Sequence, residues 1–271
     1  MRLRSLHPWH VSVEEAKALQ RRLAPMVSCA SAIPDNVRRL AGVDISPPDA
    51  EGVVRAAVVV LSYPGLDLEE VRLAEGKPGL PYIPGLLSFR ETPVLIDALE
   101  SLEQSPDIII ADGQGLAHPR RFGIACHIGL LTDTPTIGCA KSILRGRHGP
   151  LGSEHGSTAE LVDRDEVVGV ALRTRADVSP VYVSVGHKVD LASAVVWVLA
   201  SCKGRRLPET TRLAHQAAAG HVAPGLRGSG VSLTHDPSPD GSGVALSLPK
   251  GQGKGRGRPS KPGDTQQGRL L

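Results

Sequence analysis

A change in the hydrophobic pattern near residue 80 constrains the fold of this chain more than any other feature. Before it, three β-branched runs at 39–45, 53–62 and 68–74 follow one another with Pro and Gly between them. This spacing predicts an antiparallel three-strand meander. After it, helical stripes alternate with short buried runs, which predicts strand–helix–strand units. We therefore expect an α/β fold in which helices cover both faces of a mixed sheet.

The second part of the chain predicts alternating helices and strands. Pro93 is best placed as the first helical residue behind Thr92 as N-cap, which leaves Glu91 just outside that helix. Asp190 is expected to cap a helix whose apolar face begins at Leu191. A further helix is predicted over 119–131, and strands over 107–111, 135–140, 166–173 and 181–185.

Composition divides the chain into a globular part, 1–223, and a tail, 224–271. The tail has eleven Gly, six Pro and no aromatic residue, so it buries too little surface to offset its ordering entropy and is predicted to be disordered. The tail also holds seven Lys or Arg against three Asp, and this surplus of positive charge exceeds the net charge of +3 of the whole chain. The globular part is thus nearly neutral, and net charge gives no support for a DNA-binding core.

No segment has the length or composition expected of a membrane or secretion signal. The longest apolar stretches, 56–61 and 191–200, fall short of the roughly 20 residues that span a bilayer. Arg2 and Arg4 are followed by Pro8-Trp9-His10 where a signal peptide needs an apolar run. We expect a cytoplasmic protein without a membrane partner, and a monomer.

Three acidic residues stand at positions that favour chemistry. Asp44 ends the first strand, Asp112 follows Ile108-Ile-Ile-Ala111, and Glu91 precedes a helix. Functional groups collect at the carboxyl ends of strands in α/β sheets, and clustered carboxylates bind hard cations such as Mg²⁺. Such a site generates hydroxide and stabilises the leaving oxygen of a phosphodiester. The alternative is structural: strand-ending Asp residues often cap turns, and Ser88 with Glu91 matches a capping box.

Two longer motifs carry a family resemblance. Pro81-Tyr-Ile-Pro-Gly-Leu-Leu-Ser-Phe-Arg-Glu91 and Asp112-Gly-Gln-Gly-Leu-Ala-His-Pro-Arg-Arg-Phe-Gly123 closely resemble the signature motifs of the endonuclease V family, the deoxyinosine 3′ endonucleases. The similarity covers roughly residues 8–216 and leaves the tail outside. Supporting matches are Ala41-Gly-Val-Asp44, Pro135-Thr-Ile-Gly-Cys-Ala-Lys-Ser142, Gly186-His187 and Leu207-Pro-Glu-Thr-Thr-Arg-Leu-Ala-His215, in which Thr210 replaces a proline common in the family.

The resemblance implies a ribonuclease H-like fold and a DNA repair endonuclease. The implied reaction is Mg²⁺-dependent hydrolysis of the second phosphodiester bond 3′ to deoxyinosine, whose base is hypoxanthine, with 3′-hydroxyl and 5′-phosphate products and with Mn²⁺ able to substitute. The implied partner is DNA containing deoxyinosine. Two alternatives stay open: cleavage at inosine in RNA, since local pocket shape senses the 2′-hydroxyl, and a non-catalytic nucleic-acid binding protein on the same scaffold.

The resemblance also assigns catalytic roles to particular residues. It makes Asp44, Glu91 and Asp112 the Mg²⁺ ligands and Lys141 the cation beside the scissile phosphate, where it orients water or offsets developing charge. His215 is a further candidate near the metal. The structural alternatives are a solvent-exposed lysine at 141 and a helix-surface histidine without a chemical role at 215.

The remaining implied residues concern the nucleic acid. Pro81, Tyr82, Ile83 and Pro84 resemble the family's strand-separating wedge, in which prolines stiffen a loop whose apolar side chains stack into the gap left by an extruded base. A buried hydrophobic turn is the alternative. The pocket for flipped hypoxanthine would be lined by Gly85, Gly113, Leu116, Ala117 and His118. His118 would open a helix, with Arg120 and Arg121 as candidate phosphate contacts or, alternatively, a solvated helix turn.

Overall fold

The computed structural model describes residues 1–221 together with 234 and 235. Its helices are α1 Val13–Leu23, α2 Leu87–Glu100, α3 Ile124–Thr132, α4 Leu191–Ala200 and α5 Glu209–Ala218, with a short 3-10 helix at Ala24–Met26. Its strands are β1 Arg39–Ile45, β2 Val54–Ser62, β3 Leu68–Gly76, β4 Ile108–Ala111, β5 Thr136–Ala140, β6 Thr158–Asp163, β7 Glu166–Leu172, β8 Val181–His187 and β9 Thr234–His235.

The strands form one mixed sheet in the order β6-β7-β8-β5-β4-β1-β2-β3-β9. The antiparallel meander β1-β2-β3 predicted from the sequence is confirmed. Strands β4 and β5 extend it in parallel from β1, and β8, β7 and β6 continue it as antiparallel neighbours. A meander joined to two parallel strands agrees with the expected α/β class.

Helices cover both faces of the sheet. The side chains of each strand alternate in direction, and because both sets of positions are apolar, each face needs a layer of helices. On one face, α4 and α5 pack on residues such as Leu40 and Ile110. On the other, α2 and α3 pack on the intervening positions, such as Ala41 and Ile109. Strand β4 is buried along its full length, as expected of a strand covered on both sides.

The predicted start of α2 is wrong. The helix begins at Leu87 rather than at Pro93, so Glu91 lies inside it and Pro93 occupies its second turn. The side chains of Leu86 and Phe89 are fully buried against Ala16 of α1. This burial extends the helix toward its N-terminus in spite of the proline, which lacks one backbone donor. The capping box of Ser88 and Glu91, which was the structural alternative for Glu91, is absent as well, since the N-cap is Leu86 and makes no side-chain cap bond.

The helix predicted over 119–131 is shorter than expected. It starts at Ile124 behind Gly123 as N-cap, so His118 does not open it. Arg121 has a φ of 53°, in the left-handed region that interrupts a helix. Gly123 is required by close packing, because a Cβ there would lie 2.1 Å from the carbonyl oxygen of Gln114.

The N-cap of α4 is confirmed. Asp190 caps this helix, accepting a 2.8 Å hydrogen bond from the Ser193 amide, as predicted. The elements that were not predicted include β6 and α1, and for α1 the Ser12–Glu15 capping box was a usable sequence signal. Of the tail, 224–271, the structure describes Thr234 and His235, which pair with β3, and the rest lies outside the described residues. Among the described helices, none is long and apolar enough to cross a membrane.

Candidate active site

Two neighbouring parallel strands bring the first pair of acids together. Strands β1 and β4 are paired so that Val43 lies opposite Ala111; Asp44 follows Val43 in β1, and Asp112 is the first residue after β4. The Asp112 amide donates a 3.2 Å hydrogen bond to the Val43 carbonyl, which extends the ladder to the site itself. Both side chains are largely buried. The carboxyl ends of the two strands therefore form the floor of the site.

Close helix packing brings His215 to the same point. Gly42 lies under α5, and a Cβ at this position would be 2.1 Å from the Thr210 carbonyl oxygen. The missing side chain lets the helix backbone rest directly on β1, two residues before Asp44. The Nδ1 atom of His215 then lies 2.7 Å from Oδ2 of Asp44, which places this histidine in the site although its side chain is half exposed.

Asp44, Asp112 and His215 form a group with the geometry of a metal site. One ligand atom of each lies within 4.8 Å of the others. Lys141 follows the last residue of β5, and its Nζ lies 2.5 Å from Oδ2 of Asp112. Two carboxylates suit Mg²⁺, which prefers oxygen ligands, and an added imidazole is compatible with Mn²⁺. The donor set therefore fits either ion.

Glu91 lies near this group but is not one of the three residues whose ligand atoms meet. It projects from α2, and burial raises its pKa to about 8; Arg90 opposes this shift, and the charges of Asp44 and Asp112 add to it. Burial is also the main cause of the raised pKa of Asp44, followed by the charge of Asp112 and opposed by the hydrogen bond from His215. Neighbouring buried carboxyl groups with raised pKa values are an arrangement that a divalent cation stabilises.

A cavity of about 470 Å³ opens beside the acids. Asp112 and Lys141 belong both to its wall and to the charged group, so the cavity and the acids form one continuous site. Its volume is in the range of small-molecule pockets. Of the residues predicted to line a base pocket, it contains Gly85, Gly113 and His118, and of the predicted wedge it contains Tyr82, Ile83 and Pro84.

The wall of the cavity at Gly85 is fixed by hydrogen bonds. The Gly85 carbonyl accepts from Gln20 Nε2 at 2.9 Å, from His118 Nε2 at 3.0 Å and from Arg120 Nη2 at 2.7 Å. His118 must donate through Nε2, so its Nδ1 is the acceptor for the amide of Arg120. Burial lowers the pKa of His118 to about 4, and the charge of Arg120 acts in the same direction. This wall is therefore rigid and holds a neutral histidine.

The predicted wedge is exposed rather than buried. Tyr82 is 70% exposed, and Pro81 and Pro84 are exposed on either side of it. Ile83 is partly buried and packs on the cluster that contains Leu86. The segment is thus an anchored loop that presents an aromatic ring at the mouth of the cavity. This geometry does not agree with the alternative of a buried hydrophobic turn.

Four other predicted residues have different surroundings from those expected. Leu116 and Ala117 pack into hydrophobic clusters rather than lining the cavity. Arg120 is hydrogen-bonded to Gln20 and Gly85. The Arg121 guanidinium pairs with two carboxylates of the β6–β7 hairpin, at 2.8 and 2.9 Å. Both guanidinium groups thus have protein partners, and a contact of either with phosphate stays a prediction.

Residues that the sequence did not single out for the pocket also line the cavity. Among them are Gln20 from α1, Gln114 within the glycine-rich motif, and the exposed pair Ile143 and Leu144 after Lys141. Gln114 lies in the glycine-rich motif next to Gly113, which is predicted to line the pocket, so its place in the sequence was a usable signal. Gln20 carried none, because α1 meets the site only in the folded chain.

This chain is similar over most of its length to one family of known proteins. The family model described as Endonuclease V matches residues 21–216. Endonuclease V of Gloeobacter violaceus is 51% identical over 214 residues, which cover 78% of this chain and 87% of that protein. Endonuclease V of Dehalococcoides mccartyi is 50% identical over 219 residues, covering 81% and 98% respectively.

Solved structures give the same result. Endonuclease V of Streptomyces avermitilis superposes with a TM-score of 0.73 at 43% identity, covering 78% of this chain and 93% of that one. Endonuclease V of Ciona intestinalis, in complex with a 24-mer DNA containing an inosine followed by a ribo-adenosine, gives 0.66 at 26% identity, covering 77% and 96%. A family match over most of the chain and half-identical relatives lead to one conclusion: this chain belongs to the Endonuclease V family and is an endonuclease.

Proposed function

We propose that this protein is a DNA repair enzyme that nicks DNA at the second phosphodiester bond 3′ to deoxyinosine. The products are a 3′-hydroxyl and a 5′-phosphate, and the reaction depends on Mg²⁺, with Mn²⁺ able to substitute. The observation that carries this proposal is the junction of a base-sized cavity with a pair of buried carboxylates through Asp112 and Lys141. The inosine-containing DNA bound by the Ciona relative supports the choice of lesion.

Asp44, Asp112 and Glu91 hold the cation in this proposal, with His215 as a further ligand. When bound, the ion supplies Lewis acidity to the phosphate and lowers the pKa of water. Lys141 is the cation beside the scissile phosphate and stabilises the negative charge that develops there. Its short contact with Asp112 supports this role, because that contact holds the ammonium group at the edge of the acidic site.

The cavity is the proposed site for the flipped base. Hypoxanthine carries a carbonyl and a ring N–H on its pairing edge, so fixed backbone donors and acceptors distinguish it from adenine. Tyr82 at the mouth stacks into the space that the extruded base leaves. Gly85, Gly113 and His118 form the wall around the base, and the exposed Leu144 lies on the same cavity.

The test is a nicking assay on a duplex with a single deoxyinosine, with Mg²⁺ and with EDTA. We expect one nick at the second bond 3′ to the lesion, lost in EDTA and in Asp112→Ala, while that variant still binds the duplex. An undamaged duplex of the same sequence is the control. Binding without nicking in the wild type would favour the non-catalytic alternative, and undiminished cleavage by Asp112→Ala would reject the metal assignment.

Inosine in RNA is a second candidate substrate. The bound DNA of the Ciona relative carries a ribonucleotide directly after the inosine, so a 2′-hydroxyl is present next to the lesion in that complex. Matched strands that differ only in the 2′-hydroxyl separate the two substrates. Faster cleavage of the RNA strand would replace deoxyinosine by inosine as the substrate of this site.

A further inference from the structure

Arg206 has an unusual set of hydrogen bonds close to the site. It lies between α4 and α5, and its guanidinium binds three backbone carbonyls from two other segments. Nε donates to Ser179 at 2.9 Å, and Nη2 donates to Pro180 at 2.8 Å and to Lys141 at 2.9 Å. The Arg206 carbonyl in turn accepts a 2.6 Å hydrogen bond from the Thr174 hydroxyl. Arg206 is therefore fixed at both its backbone and its side chain.

One of these carbonyls belongs to the candidate catalytic lysine. The ladder between β5 and β8 ends at the pair Ala140 and Tyr182, so Lys141 is the first residue beyond it. The next residues, 142–144, are exposed. The Arg206 guanidinium thus supplies a partner to the Lys141 carbonyl at the point where the sheet stops supporting the chain. A charged donor makes a stronger hydrogen bond than a neutral one.

Arg206 is close in the chain to a second contact of the site. Lys141 contacts Asp112, and Arg206 lies three residues before α5, whose His215 contacts Asp44. The guanidinium ties the backbone before α5 to the backbone of Lys141. The Lys141 side chain extends from this backbone to reach Asp112.

We propose that Arg206 is a positioning residue for Lys141. It does not touch substrate in this role; it fixes the backbone from which the lysine side chain reaches the scissile phosphate. The proposal rests on the proposed function, because it assumes that Lys141 acts in the nicking of deoxyinosine DNA. Displacing a catalytic group by about 1 Å costs up to roughly 100-fold in rate.

The test is a double-mutant cycle between Arg206 and Lys141. In the full chain, we expect Arg206→Ala to lower the single-turnover nicking rate roughly 10- to 100-fold while the Kd for the deoxyinosine duplex changes by less than about threefold. In the Lys141→Ala background, the same change should lower the rate by less than about twofold, because the group that Arg206 positions is already absent. Equal effects in both backgrounds would overturn the proposal.

The matched control is Arg205→Ala. Arg205 is the neighbouring arginine; its side chain is 65% exposed, and its ion pair with Glu209 is long at 3.7 Å. This variant should nick and bind like the wild type. A loss as large as that of Arg206→Ala would show that general charge in this segment matters rather than the contact with Lys141.

Arg206→Lys keeps the proposal testable if the alanine variant does not fold. The lysine retains the charge but lacks the planar fork that spans several carbonyls, so we expect an intermediate rate with an unchanged melting temperature. A wild-type rate for Arg206→Lys and Arg206→Ala alike would reject the inference alone. Absence of nicking by the wild type would instead reject the proposed function.

Discussion

Asp44 is held in the site at an electrostatic cost. Burial, and then the charge of Asp112, raise the pKa of its carboxyl group, so the ionised form is disfavoured in the folded protein. Asp44→Asn removes that charge with little change of shape. We expect the metal-free variant to melt at or above the temperature of the wild type, and to lose at least ~100-fold in nicking rate.

The change in melting temperature on adding metal separates the loss of a metal ligand from a general effect of removing a carboxylate. Saturating Mg²⁺ should raise the melting temperature of the wild type by roughly 5 °C or more, and that of Asp44→Asn by much less. Asp35→Asn, at an exposed carboxylate, is the control and should keep the full increase. An equal increase in all three proteins would contradict the assignment of Asp44 as a ligand.

Tyr82 allows lesion binding to be tested with little effect on the fold. Because its side chain is 70% exposed, Tyr82→Ala should leave the melting temperature unchanged. Stacking of an aromatic ring on a base is worth about 1–3 kcal/mol, so affinity for the deoxyinosine duplex should fall roughly tenfold, as measured by fluorescence anisotropy. The matched control is Val196→Ala, at a 61% exposed apolar side chain on α4. Unchanged preference for damaged over intact duplex would exclude the wedge role.

At the scale of elements, the contact between β1 and α5 decides whether the site assembles. Gly42→Ala puts a methyl group where the Thr210 carbonyl lies 2.1 Å away, so α5 must move outward and carry His215 from Asp44. We expect a loss of about 1–3 kcal/mol in the free energy of unfolding from overpacking, together with a lower nicking rate. Gly149→Ala, at a glycine with open space around it, should change neither quantity. Urea denaturation and the nicking assay measure both.

Several strands were predictable from local sequence signals, whereas two helix starts were not. The meander and the strand ends at Asp44 and Asp112 were predictable, because β-branched runs and their breaks depend on neighbouring residues. The start of α2 was not, since Pro93 is a strong local signal for a helix start and the burial of Phe89 overrides it. The start of α3 was missed for a related reason: Arg121 adopts a left-handed conformation while it pairs with residues of the β6–β7 hairpin.

At the scale of the whole molecule, stability should depend on acid pH through buried histidines. The pKa of His118 falls from 6.5 to about 4 in the folded protein, chiefly because of burial, and its Nδ1 already accepts a backbone hydrogen bond. The unfolded chain therefore binds a proton at a higher pH than the folded one. The contribution of the neutral histidine is complete above about pH 6.5 and is lost as the pH falls toward 4.

The size of this effect can be measured. Between pH 7.5 and 5, His118 alone should account for a loss of about 2 kcal/mol in the free energy of unfolding. In urea denaturation, His118→Asn should therefore show a weaker pH dependence than the wild type, whatever its stability at neutral pH. His155→Asn, at an exposed histidine, should keep the wild-type pH dependence. The same dependence in all three proteins would contradict the prediction.

The sequence by itself determined the α/β class, the meander, the strand-ending acids and the family resemblance, because each depends on residues close together in the chain. Only the tertiary structure decided that Glu91 projects from inside a helix, that Arg120 and Arg121 hold protein groups, and that Gln20 lines the cavity. These outcomes depend on burial and on contacts between distant segments. They become defined only when the helices pack on the sheet and exclude water.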